Sequence, residues 1–137
     1  MLHLKVITPK KLVYEEDVNA VIVPTVAGEI TILPKHAAIL SLLKEGVITI
    51  KKEKEMEYLS VGGGYLETDG KTIHILVSRA YGQDDINEDR TKEAMERAEK
   101  ILSDTKDKQE RDEALRSMKR SVVDMKLLSK IRRRKSS

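Results

Sequence analysis

The 137-residue chain carries 26 Lys and Arg against 23 Asp and Glu, a net charge of +3, and its 39% apolar content is enough to bury a core as one domain or two small ones. It has no Cys, Trp or Phe, which excludes disulfides, thiolate metal sites and a Cys nucleophile, and leaves Val, Ile and Leu to build a core better suited to sheets than to ligand-gripping pockets. No apolar run approaches the roughly 18 residues of a membrane span, and the N-terminus alternates at Leu2 and Leu4 instead of forming a signal-peptide hydrophobic region, so the expectation is a soluble, non-exported protein.

Short apolar runs separated by turn residues fill the first eighty positions. Residues 3–8 alternate into Pro9, residues 18–23 are β-branched and stop at Pro24, and residues 29–33 follow Gly28 and end at Pro34. Gly46 precedes a run at 47–50. The charged segment 51–55 then forms a hairpin tip before 56–61, and 65–67 turns at Thr68-Asp69-Gly70 into 72–77. Strands of this length at this spacing predict an antiparallel sandwich.

The pattern changes near residue 83. All seven Gly, all three Pro, all four Tyr and all three His lie before it, and the stretch beyond lacks every residue that would interrupt a helix. Asp85 is read as an N-cap with Glu88 three residues on, followed by Met95, Ala98, Ile101 and Leu102 on one face and a stop near 103–107. A second helix places Leu115, Met118, Val122, Met125 and Leu128 on one stripe. Neither helix buries its stripe alone, so an antiparallel hairpin with facing seams is expected. The fold class is therefore α+β, a sandwich at 1–83 and a helical hairpin at 84–137.

Charge divides along the same line. The first module is neutral, residues 83–113 carry a net −5, and residues 114–137 carry +8, with Asp124 their one acid. Arg116, Lys119, Arg120, Lys126 and Lys130 extend the positive run Arg132-Arg133-Arg134-Lys135 over several turns, which a mere solubilising tail would not require. A long cationic helix seeks an acidic partner.

Other constellations carry less. His36 has no second His, Ser or Asp in a triad-like setting and is read as a surface or interface residue. Gly62-Gly63-Gly64 lacks the Lys-Ser/Thr of a phosphate loop and precedes a strand, so it reads as a bulge or a close backbone contact. His3, His36 and His74 are scattered, which argues against a cupin-like metal enzyme. A nucleic-acid-binding module using the basic helix is the alternative reading; the neutral first module, without Phe or Trp, offers it no stacking platform.

Ile7-Thr8-Pro9, Val13-Tyr14, Gly28-Glu29-Ile30-Thr31-Ile32-Leu33-Pro34-Lys35-His36-Ala37, Gly63-Gly64-Tyr65-Leu66-Glu67 and Ile75-Leu76-Val77 followed by Asp85-Ile86 resemble the epsilon subunit of bacterial F-type ATP synthase almost end to end. The chloroplast counterpart is similar; a mitochondrial homologue would be expected to carry a presequence. The resemblance implies a non-catalytic rotor subunit without a required cofactor, held peripherally on the cytoplasmic face of the bacterial membrane, or on the stromal face of the thylakoid. Its partners would be the gamma subunit at Thr8, His36 and Leu40, and the c ring at Gly28 and Glu29. The hairpin would reach the catalytic alpha and beta subunits through Lys126, Lys130, Arg132, Arg133 and Arg134 and block hydrolysis. The family's ATP-binding motif is matched in part: Ile86, Arg90, Arg116 and Arg120 fit. Asn87, Thr91 and Tyr81 stand where Asp, Ala and Glu are expected, which implies at most weak ATP binding.

Overall fold

In the computed structural model, which describes residues 1–135 and the side chains of 1–133, the chain splits into two units, Met1–Gly82 and Gln83–Ser137. The first holds ten strands: β1 (Leu2–Ile7), β2 (Leu12–Val18), β3 (Ala20–Thr25), β4 (Gly28–Ile32), β5 (Ile39–Leu43), β6 (Gly46–Lys51), β7 (Met56–Val61), β8 (Gly64–Thr68), β9 (Thr72–Val77) and β10 (Ala80–Tyr81). Hydrogen-bonded neighbours run β10-β7-β6-β3-β5-β8-β9-β1-β2, with β4 on β3. The single register pair Thr25–Leu43 links β3 to β5, so the ladder falls into two halves that fold over one another as a sandwich.

Alternation decides which side chains lie between the halves. Leu2, Leu4 and Val6 of β1 point in with Val18, Leu66, Ile73 and Ile75, and meet Val21, Val23, Ile48, Ile50 and Val61 from the other half, all fully buried. Bringing strands this close requires glycine at one place in particular. A Cβ on Gly64 would stand 1.9 Å from the carbonyl oxygen of Leu76, so no side chain fits there. Within the Gly62-Gly63-Gly64 run, Gly64 makes the close backbone contact that was one of the two readings of its sequence.

A polar clamp ties the outermost strand of one half to the other. Lys52, just beyond β6, reaches Glu16 of β2 at 2.5 Å and Glu57 of β7 at 2.7 Å, and its Nζ lies 5.8 Å from the centre of the Tyr14 ring. Hydrogen bonds to Glu16 and then Glu57 drive the Lys52 ammonium above its ordinary range, while burial pushes the Tyr14 phenol up.

Three features depart from the sequence reading. The sandwich is not wholly antiparallel: β1 and β9 pair in parallel, because β9 returns to β1 only after the chain has built the intervening strands. The run 18–23 is divided, since Asn19 separates the end of β2 from the start of β3 and its N–H turns to the Lys51 carbonyl at 2.8 Å. β2 and β5 are strands that the apolar pattern did not disclose.

The second unit is a helical hairpin, α1 (Glu88–Asp104) and α2 (Lys108–Lys135). Its N-cap is Asn87 and not Asp85: the Asn87 amide oxygen accepts the Arg90 N–H at 3.0 Å, while Asp85 is taken into a one-turn 3-10 segment, Gln83–Asp85. At the turn, Thr105 Oγ1 donates to Glu110 at 2.7 Å, Asp107 Oδ1 accepts the Gln109 N–H at 2.9 Å, and Arg111 donates to the Leu102 carbonyl at 3.4 Å. Between the helices lies a groove of about 520 Å³ floored by Ala94, Ala98, Ala114 and Ser117. The expected stripe is correspondingly displaced. Leu115 and Val122 are exposed and Met118, Met125 and Leu128 half-buried, whereas Ala114, Ser121, Val123, Asp124 and Leu127 are buried, so small side chains, which let helix axes approach, share the buried positions with branched ones.

On the outer face of β1 and β2, His3 donates from Nδ1 to Asp17 at 2.9 Å and from Nε2 to Glu15 at 2.7 Å. Carboxylates only accept, so both bonds form together only on the imidazolium, and the pKa of His3 lies above its ordinary value, through Asp17 first and Glu15 second. A group whose folded pKa is raised contributes its stability in full below its unfolded pKa and loses it as pH rises through the folded one. Urea unfolding followed by circular dichroism should therefore give a higher midpoint at pH 6 than at pH 9, and His3→Gln should flatten that difference.

Candidate functional site

The core-facing residues of β1, β8 and β9 are spent on the sandwich, but the opposite faces of the same strands are not polar throughout. Register pairs place Leu42 beside Tyr65, Tyr65 beside Leu76, Leu76 beside Ile7 and Ile7 beside Leu12. These five apolar side chains form one row across five strands, roughly 20 Å long at the usual strand spacing. A second row runs parallel to it, Leu40-Glu67-His74-Lys5-Glu15. Leu40 and Leu42 are 71% and 61% exposed. Contiguous apolar residues left uncovered in this way mark an interaction face rather than a core.

Along its middle members Tyr65, Leu76 and Ile7 the first row borders a hollow of about 300 Å³, lined also by Gly63, Gly64, Thr8 and Pro9. Thr8 shapes its rim: its N–H donates to the Lys11 carbonyl at 2.9 Å, and its hydroxyl oxygen accepts the N–H groups of Lys10 and Lys11. The β3–β4 turn lies at the Gly64 end of β8. Thr25 pairs with both Gly28 and Leu43, and Leu43 pairs with Gly64. The Thr25 hydroxyl donates to the Gly28 carbonyl, and Gly28 takes φ 127°, a conformation that favours glycine. This turn projects Val26, 66% exposed, beside the exposed carboxylate of Glu29.

The remaining sequence-predicted residues divide between the two units. His36 is half-buried at the opposite end of the strands from Thr8, in the loop where Lys35 N–H donates to the Gly70 carbonyl, and its Nδ1 donates to the Ala37 carbonyl at 2.7 Å. The three residues expected to meet gamma therefore do not form one cluster: Leu40, paired with Glu67, and His36, beside Gly70, lie toward the β8–β9 turn, and Thr8 stands at the other end of the strands. On α2, Lys126 and Arg133 are exposed and Lys130 half-exposed. Arg132 forms an ion pair with Glu88, and the side chain of Arg134 lies outside the described residues.

Arg116 and Arg120 are exposed one helical turn apart. Arg90 belongs to the first turn of α1, near the end of the hairpin where Glu88 meets Arg132, so about a helical turn or more separates its level from that of Arg116. Ile86 is half-buried, and its N–H closes the 3-10 turn on the Gln83 carbonyl at 3.1 Å. Asn87 is engaged as the helix cap. Among the described residues no group of three or more His, Cys, Asp or Glu is placed to hold a metal ion.

Sequence reasoning missed the first apolar row entirely. A signal was present: Ile39-Leu40-Ser41-Leu42-Leu43 is apolar in both phases of a strand, which indicates a strand covered on both faces.

Comparison with known proteins bears on what covers it. Residues 1–83 match the family described as ATP synthase, Delta/Epsilon chain, beta-sandwich domain. The ATP synthase epsilon chain of Halalkalibacterium halodurans is 40% identical over 105 residues, 77% of this chain and 79% of that one. The ATP synthase epsilon chain of Caldanaerobacter subterraneus is 36% identical over 129 residues, 93% and 94% of the two chains. Among solved structures, a chain of the Euglena gracilis mitochondrial ATP synthase shares the fold at a TM-score of 0.78 and 19% identity, over 86% of this chain and 75% of that one. A family match over residues 1–83, joined to epsilon-chain relatives of which one is 36% identical over 93% of this chain, identifies it as a member of the ATP synthase epsilon chain family.

Proposed function

We propose that the chain is a non-catalytic rotor subunit of an F-type ATP synthase, whose sandwich couples the gamma subunit to the c ring and whose hairpin restrains ATP hydrolysis. The observation that carries the first half is the uncovered apolar row Leu42-Tyr65-Leu76-Ile7-Leu12 with Leu40 beside it, a surface that costs free energy in water and gains it against a partner. Gamma is assigned to that face. The β3–β4 turn is assigned to the c ring, because Glu29 and exposed Val26 project together from the end of the sandwich. Peripheral attachment to the energy-transducing membrane follows from those partners; no helix among the described residues is long and apolar enough to cross a membrane.

The second half rests on charge. Beyond Glu113 the acid of α2 is Asp124, which is buried, and the exposed cations Lys119 and Lys126 flank exposed Val122, with exposed Leu115 one turn ahead of Lys119. Such a stripe suits an acidic surface with apolar spots, the kind a catalytic beta subunit would have to offer. A nucleic acid is a poorer fit, since the outer face of the sheet presents one apolar row and one row of mixed charge, not a basic face.

Titration of gamma with Leu42→Asp should show about tenfold to a hundredfold weaker binding, the equivalent of the 1.5–3 kcal/mol for burying a leucine. The exposed position should leave the circular dichroism spectrum unchanged. Wild-type affinity in that variant would remove gamma from this face.

Replacing Lys126, Lys130, Arg132, Arg133 and Arg134 together by Ala should relieve inhibition of ATP hydrolysis in the reconstituted enzyme and leave gamma binding intact. Each exposed pair is worth only about 0.2–1 kcal/mol, so the effect requires several at once, and raised salt should reproduce part of it. Persisting inhibition would shift the brake to Leu127, Leu128 and Ile131.

ATP should bind weakly or not at all to the isolated chain, with Arg90, Arg116 and Arg120 supplying what affinity there is. Asn87→Asp should strengthen it without loss of helix, since Asp caps as well as Asn. Calorimetry on the two proteins decides this, and micromolar binding by the unaltered chain would contradict it.

A further inference from the structure

Glu88 is the first residue of α1, and Arg132 lies in the last turn of α2, so their ion pair closes the hairpin at the end opposite its turn. Lys92, one turn along α1, approaches the same carboxylate at 3.4 Å. The Arg132 guanidinium, with Lys92 behind it, holds the Glu88 carboxyl below the usual range, as a carboxylate in a charge-assisted hydrogen bond requires. The turn end is fixed by covalent connection and by the Thr105, Asp107 and Arg111 contacts. The open end has no covalent tie.

We infer that Glu88 is a latch that keeps the two helices together at their open end and withholds Arg132 from an acidic partner. The inference rests on the reading of α2 as a brake, since Arg132 is one of its cations. Arg132 cannot follow α2 onto another surface while it remains on the first turn of α1. An acidic partner therefore competes with Glu88, and loss of a negative charge from α1 should strengthen inhibition. That sign is opposite to the effect of removing the α2 cations.

Amide hydrogen exchange on the full chain reads the latch directly. In Arg132→Gln, the amides of residues 92–95 should exchange about two- to fivefold faster than in the unaltered protein, the range expected for one exposed ion pair. Amides of residues 101–104 and of the sandwich should not change. Glu88→Gln should match it, with an added contribution from losing an acid at a helix N-terminus, and the charge-exchanged pair Glu88→Arg with Arg132→Glu should slow exchange again. Unchanged exchange in Arg132→Gln overturns the latch. In the reconstituted enzyme, Glu88→Gln should inhibit hydrolysis more strongly. If exchange quickens but inhibition does not deepen, the latch stands and the withholding of Arg132, with the brake reading beneath it, fails.

Discussion

Ile48 and Ile50 from one half of the ladder and Leu66, Ile73 and Ile75 from the other are all fully buried, and the sandwich exists because these aliphatic faces close on one another. Within one half, the paired strands β8 and β9 approach so closely at Gly64 that a Cβ there would meet the Leu76 carbonyl oxygen. The same approach leaves Gly63 and Gly64 without side chains at the end of the outer face, and the hollow beside Thr8 and Tyr65 is the result. The pairing of β8 with β9 and the hollow on their outer face thus share one cause.

The hairpin follows different energetics. Its buried positions are few, and Ala98, Ala114 and Ser121 among them bury little area each beside Val123 and Leu127, while its surface is crowded with charge. A helix of 17 residues such as α1 is marginal by itself in water, so its persistence depends on α2 and on end contacts such as the Asn87 cap. Individual ion pairs of a few tenths of a kcal/mol then become a sizeable fraction of what holds the helices together. A sandwich of this kind would not notice such a change.

How far the sequence disclosed this differs by element. Turn residues such as Gly28, Pro34, Gly46 and Gly70 marked β4, β6 and β9, and the loss of Gly and Pro after residue 82 marked the helices. β5 was hidden because Ile39-Leu40-Ser41-Leu42-Leu43 is apolar in both phases, so period-2 alternation was absent where the outer face needed to be apolar too. The helix cap was misread because Asp84, Asp85 and Asn87 can all cap in principle. The choice falls to whichever oxygen reaches the third amide of the helix, and that depends on the 3-10 turn ahead of it. The α2 stripe was displaced in part because periodicity counts large apolar residues, while the buried positions include the small Ala114 and Ser121 beside Val123 and Leu127. Of the candidate sites, the apolar row needed strand register, and the Glu88–Arg132 pair joins residues from opposite ends of the helical unit, which no local pattern could couple.

These two energetic regimes suit a molecule that must be held firmly at one place and respond at another. An uncovered row of Leu42, Tyr65, Leu76, Ile7 and Leu12 gains free energy roughly in proportion to buried area, a term that salt hardly touches. The cationic stripe of α2 gains through charge, which salt screens over about 10 Å at 0.1 M. Attachment through the sheet and regulation through the helix would then answer to different variables, so that ionic strength or an acidic competitor could alter the hairpin without loosening the sandwich. His3 is the point where the sheet also answers to solution conditions. It pins β2, the outermost strand, by bonds that both require a proton, and β2 carries Leu12 at the end of the apolar row.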